Sequence, residues 1–131
     1  MNFFIKQNAT LPVLKMRPIE DSNLDYEKFM TMLENSAITF SMRDKQTGVY
    51  KIANKQGGIV LRTKRVNNNQ LDEYYIYYKF TTKDTSTSGT YEGSFHIDFF
   101  GNTTGNLIVP IREELNIIIT DSFTRTTVTS V

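Results

Sequence analysis

The sequence predicts an all-β fold, an antiparallel two-sheet sandwich with one short inserted α-helix. From Ala37 onward, apolar residues recur at every second position, the period of a half-buried strand. Polar, glycine-bearing clusters break that alternation at short intervals and space out roughly seven or eight strands, the rhythm of a sandwich. Nine phenylalanines, seven tyrosines and many threonines favour pleated over helical backbone.

The first segment, 3–16, holds two short apolar stretches around Asn8, Ala9 and Thr10. Pro12 has no amide proton to give a ladder, so it suits an edge strand or a strand start. Pro18 closes the segment. The helix is predicted over 25–33, where Tyr26, Phe29, Met30 and Leu33 fall at i, i+3, i+4 and i+7 on one apolar face. Ser22 or Asn23 would cap it, with Asp25 and Glu27 in the electropositive first turn. At under three turns it is marginal alone and must lean on a sheet or a neighbour.

Strands follow over 37–42, 49–53, 59–66, 73–81, 89–100, 107–111 and 115–120. Turns are expected at 43–48, 54–58 and 101–105, and a loop at 67–70. One domain accounts for 1–121; the β-prone tail, 122–131, frays or adds to a neighbouring sheet.

Composition narrows the function. The 131 residues include no cysteine, which excludes disulfides, thiolate metal sites and cysteine nucleophiles. A net charge of +1 gives no global field toward nucleic acid or anionic membrane. No run approaches the ~20 apolar residues of a membrane helix, and the start turns polar too soon for a secretory signal.

The segment 82–99 passes from polar residues through Gly89 to an alternating strand. Asp84, Gly89 and Tyr91 have the order of a tyrosine corner, in which a tyrosine opening a late strand packs inward and bonds its hydroxyl to the preceding loop. Tyr91, Gly93, Phe95, Ile97 and Phe99 then share one face. Gly93 falls where immunoglobulin domains carry their second cysteine, so this core is expected to rely on packing alone.

These residues, with Asn35-Ser-Ala-Ile-Thr-Phe-Ser-Met-Arg-Asp44, Gly48-Val-Tyr-Lys51, Leu107-Ile-Val-Pro-Ile111 and Asn116-Ile-Ile-Ile119, carry a further likeness. The chain resembles the immunoglobulin-like N-terminal domain of tailed-bacteriophage upper baseplate proteins and related phage neck and tail adaptors. That resemblance spans most of 3–119 and implies a docking module without catalytic residues or cofactors. It implies a virion location after synthesis in the host cytoplasm, with other virion proteins as partners, in multiple copies of a symmetric assembly, among them a fibre or adaptor subunit. The helix over 25–33 departs from the minimal domain, and no long fibre-attaching region follows Val131.

His96, the sole histidine, shares a strand face with Ser94 and Asp98, a trio that ordinary alternation produces on a polar surface. Neighbouring carboxylates such as Glu113 and Glu114 point to opposite faces of a strand and make no acid–base pair. Gly57 and Gly58 lack the Gly-Lys-Ser/Thr ending of a phosphate loop. Lys51, Lys55, Arg62, Lys64 and Arg65 form a candidate basic patch, which nucleic acid would use only together with stacking aromatics.

In the segment 74–80, one face carries Tyr74, Ile76, Tyr78 and Phe80 and is expected in the core. The other carries Tyr75, Tyr77 and Lys79, unusually aromatic for open solvent and suited to an interface. The candidate interface is therefore Tyr75, Tyr77 and Lys79 together with the helix face of Tyr26, Phe29, Met30 and Leu33. A non-enzymatic docking protein is the function expected. A carbohydrate- or receptor-binding module using Tyr75 or Tyr77 is the alternative, and a nucleic-acid-binding accessory a further one.

Overall fold

A computed structural model describes residues 1–17, 33–100 and 105–122, with backbone alone at 62–64, 66 and 71–73. Nine strands are described: β1 (Asn2–Lys6), β2 (Leu14–Met16), β3 (Ser36–Asp44), β4 (Tyr50–Gln56), β5 (Gly58–Val66), β6 (Asn69–Tyr78), β7 (Gly89–Phe99), β8 (Gly105–Val109) and β9 (Leu115–Thr120). The larger sheet runs β1-β9-β7-β3-β4, with β8 also paired to β7, and the smaller runs β2-β6-β5. All pairings are antiparallel except β1 with β9, which run parallel from Asn2↔Asn116 to Lys6↔Thr120.

The inserted α-helix is corrected by the structure. Among the described residues there is no α-helix; only Leu33 and Glu34 carry helical geometry, and β3 begins at Ser36. Residues 25–32 of that prediction, with Tyr26, Phe29 and Met30, lie outside the described residues. The physical reason is visible at the boundary. The Ser36 hydroxyl donates to the Leu33 carbonyl at 2.6 Å, and Ile38 and Thr39, both β-branched, then follow in extended backbone. Leu33 is fully buried in the common core and offers no docking surface.

Period-two alternation builds the core. Ile38, Phe40 and Met42 of β3, Tyr91, Phe95 and Ile97 of β7, and Leu115, Ile117 and Ile119 of β9 line the inner face of the larger sheet. Leu14 and Met16 of β2 and Ile76 and Tyr78 of β6 meet them from the smaller one. Phe40 joins the layers: its ring stacks on Tyr78 at 4.7 Å and lies tilted on Phe95 at 4.9 Å. Truncating so buried a ring to alanine costs ~3–5 kcal/mol. Gly93 makes room for it, since a Cβ there would stand 2.9 Å from Phe40 Cζ.

β7 lies at the centre of the larger sheet, between β3 on one side and β9 and β8 on the other, and that sheet packs face to face with β2-β6-β5. Two turns differ from the sequence expectation. The 67–70 loop is a two-residue turn, Asn67 and Asn68 both at positive φ, closing the hairpin at Val66↔Asn69. Asparagine adopts such backbone readily, and the turn's twist matches the flanking strands. The expected turn at 54–58 is instead a crossing between sheets: β4 runs through Gln56, and β5 begins at Gly58. Gly57 sits so close to the smaller sheet that a Cβ would lie 2.6 Å from the Tyr77 carbonyl oxygen.

Candidate docking face and structural corner

β6 is divided by its pleat. Ile76 and Tyr78 are buried, while Tyr75 and Tyr77 face outward, half-buried. Register places Val60 opposite Tyr75, and Lys15 and Gly58 on either side of Tyr77. Gly58 has no side chain, and the Tyr77 ring fills that space: a Cβ on Gly58 would meet Tyr77 Cζ and Oη at 2.5 Å. Lys79 places its ammonium 5.8 Å from the centre of the same ring, within reach of a cation–π attraction. Beside it Tyr75, Lys15, Val60 and Leu61 enclose a shallow depression of ≈ 290 Å³. Val60 is 37% exposed and Leu61 48%. The outer face of the smaller sheet is thus aromatic and aliphatic at its centre, with lysines beside the rings. Sequence alternation finds Tyr75, Tyr77 and Lys79; Lys15, Gly58 and Val60 are absent from that reading, because only strand register brings them alongside.

The corner residues lie in the loop that follows β6 and at the start of β7. Tyr91 is buried, and its hydroxyl donates to the Thr87 carbonyl at 2.9 Å. Burial, then the nearby Asp44 carboxylate, pushes the Tyr91 phenol up. Gly89 opens β7 at φ +150° beneath the Tyr91 ring. Asp84 is 2% exposed. Its Oδ2 accepts from the Tyr78 hydroxyl at 2.7 Å and the Thr81 N–H at 2.9 Å, and its Oδ1 from Lys55 Nζ at 3.4 Å. Burial alone would push this carboxyl up; the Thr81 amide, the Tyr78 and Thr81 hydroxyls and the Lys55 charge outweigh it and hold it below the ordinary value. Burial, then the bond and charge of Asp84, push the Tyr78 phenol up.

The same loop anchors the first segment. Thr85 Oγ1 donates to the Ala9 carbonyl at 2.8 Å, Asn8 N–H to the Thr85 carbonyl at 2.9 Å, and Gln7 Nε2 to the Ser86 carbonyl at 2.9 Å. Asp84 and its neighbours therefore form a buried structural junction between the sheets.

The basic residues fall on two strands. Lys51 and Lys55 belong to β4 of the larger sheet, and Arg62, Lys64 and Arg65 to β5 of the smaller. Lys51 Nζ donates to Ser86 Oγ at 2.9 Å and Lys55 reaches Asp84, so both are engaged by the 81–88 loop. Arg65 is exposed; the side chains of Arg62 and Lys64 lie outside the described residues.

On the outer face of the larger sheet, Ser94 Oγ lies 3.4 Å from His96 Nε2, with Asp98 exposed one pleat further. Among the described residues no group of three or more His, Cys, Asp or Glu could hold a metal ion, and no helix is long and apolar enough to cross a membrane.

The chain matches no protein-family model, and no curated protein or solved structure is significantly similar to it.

Proposed function

We propose that this protein is a non-enzymatic docking module that joins neighbouring subunits through the outer face of its smaller sheet. The observation that carries the proposal is the juxtaposition of Tyr75, Tyr77 and Val60 on an outward pleat that a solvated strand fills with polar residues. Tyrosines supply large rigid contact area at low entropic cost, and a hydroxyl tip that tolerates water until the partner arrives. Lys15 and Lys79 beside the rings favour a partner whose rim is acidic, fixing orientation and speeding encounter. The likeness to phage baseplate and adaptor domains supports a virion as the setting, with neighbouring virion proteins as partners.

Site-specific photocrosslinking in the producing cell tests this. A crosslinker at position 75 or 77 is expected to trap one defined protein, with none trapped from position 46 in the exposed β3–β4 turn. The absence of a discrete adduct at 75 and 77 would count against the docking face. Fixed stoichiometry in purified virions is the expectation for the viral setting, and absence from every particle would remove that part alone.

A further inference from the structure

β7 changes partners part-way along its length. Gly93 stands opposite Leu115 of β9, and two residues later Phe95 stands opposite Val109 of β8. The connection 110–114 leaves the ladder between those two pairings, and an open groove of ≈ 290 Å³ lies at that point on the outer face of the larger sheet. Its lining combines three kinds of surface. Tyr50, 59% exposed, and Ile108, 47% exposed, give it aromatic and aliphatic walls. Ser94 contributes a hydroxyl, and Arg43 and Glu92 a guanidinium and a carboxylate held together at 3.3 Å.

We propose that this groove is a binding site for an uncharged sugar ring, a neutral pyranoside of a glycan. The Arg43–Glu92 pair sets a donor and an acceptor side by side, at about the spacing of neighbouring hydroxyls on a pyranose. One hydroxyl then accepts from the guanidinium while the next donates to the carboxylate. The C–H face of the ring has Tyr50 and Ile108 to cover it. Charge selects against the rival ligands. Arg43 is matched by Glu92 at 3.3 Å, the nearby Lys45 by Glu114 at 2.9 Å, and the N-terminal ammonium by Glu113 at 3.6 Å. A phosphate or a sialic acid would therefore find these cations already paired with carboxylates and no net positive charge to attract it. A groove of this volume lies at the small end of ligand sites and suits one ring rather than a long chain. It occupies the opposite sheet from Tyr75 and Tyr77, so this inference stands or falls independently of the docking face.

Saturation-transfer NMR of the whole chain with methyl glucoside, methyl galactoside, methyl mannoside and N-acetylglucosamine is the test, followed by a printed array of neutral and acidic glycans. Binding of at least one neutral sugar is expected. Affinity is expected to fall about tenfold or more in Arg43→Ala and in Tyr50→Ala, while Tyr75→Ala binds as wild type. Glu92→Gln, which keeps the shape of the side chain, is expected to weaken binding with an unchanged amide spectrum. No binding to any neutral sugar, binding confined to acidic glycans, or binding that persists in both Arg43→Ala and Tyr50→Ala would each overturn the proposal.

Discussion

Replacing Asp84 with alanine should destabilise the protein more than any change of comparable size on its surface. The carboxylate is buried, and the substitution strands two buried donors, the Tyr78 hydroxyl at 2.7 Å and the Thr81 N–H at 2.9 Å. Hydrogen bonds to a charged acceptor contribute ~1.5–3 kcal/mol each. Lys55 is half exposed and stands at 3.4 Å, so its share is at most ~1 kcal/mol. The expected loss is ~3–5 kcal/mol, a large part of the ~5–15 kcal/mol that holds a domain together. For a chain of this length that is a fall of ~10–20 °C in melting temperature.

Tyr78→Phe, which leaves the carboxylate its other partners, should cost only ~1–2 kcal/mol, and the double variant should reveal coupling between the two. The pH dependence has a definite sign. The folded-state pKa of Asp84 is depressed, so its stabilisation is complete above the unfolded value of ~3.9 and is lost as pH falls through the folded one. Tyr78 is raised; its contribution holds below the unfolded ~10 and is lost as pH rises beyond it. Urea unfolding at pH 7 measures the loss, thermal melts from about pH 2 to 8 measure the Asp84 dependence, and melts continued above about pH 10 measure that of Tyr78. A loss below ~1 kcal/mol in Asp84→Ala, or a gap from wild type that stays constant down to about pH 2, would rule out Asp84 as a buried anchor of the fold.

Three other substitutions probe the fold and the docking face. Tyr91→Phe removes the bond to the Thr87 carbonyl and should cost ~1 kcal/mol by urea unfolding, with no shift in the spectrum of β6. Gly93→Ala drives a methyl against the Phe40 ring at 2.9–3.0 Å and should cost ~1–3 kcal/mol by overpacking, seen as a lower melting temperature. Gly58→Ala displaces the far end of the Tyr77 ring, which is free to swing outward. Stability should change by under ~1 kcal/mol, yet the crosslink from position 75 should weaken as the face loses its shape.

Local alternation was informative wherever a strand has one face in the core. Leu115, Ile117 and Ile119, or Tyr91, Phe95 and Ile97, point inward as their spacing requires, because a one-residue slip would expose all of them. Tyr91 packs inward and bonds the Thr87 carbonyl of the preceding loop, whereas Asp84, grouped with it by sequence order, bonds Tyr78, Thr81 and Lys55 instead. Those partners of Asp84 were not legible, since a side chain facing the core cannot announce a polar tip. The helix over 25–33 was read from apolar spacing and local capping residues, which for a short segment do not distinguish a helix from a buried residue such as Leu33 leading into a strand. Long-range pairing was silent in the sequence. Gly57 looked like a turn residue, whereas its role is to bring β4 and β5 past the Tyr77 carbonyl. The groove beside Arg43 exists only because β7 exchanges β9 for β8, and the five basic residues fall on strands of two different sheets.

A docking module of this kind keeps the tyrosine face of its smaller sheet covered in the native assembly. Oxidative footprinting by mass spectrometry, comparing the purified chain with the same chain in lysate of the cells that produce it, measures this without knowing the partner. Tyr75 and Tyr77 are expected to be oxidised readily in the purified protein and protected several-fold in lysate, while the exposed Phe4 on β1 of the opposite sheet reacts equally in both. Equal oxidation of Tyr75 and Tyr77 in the two states would contradict that coverage.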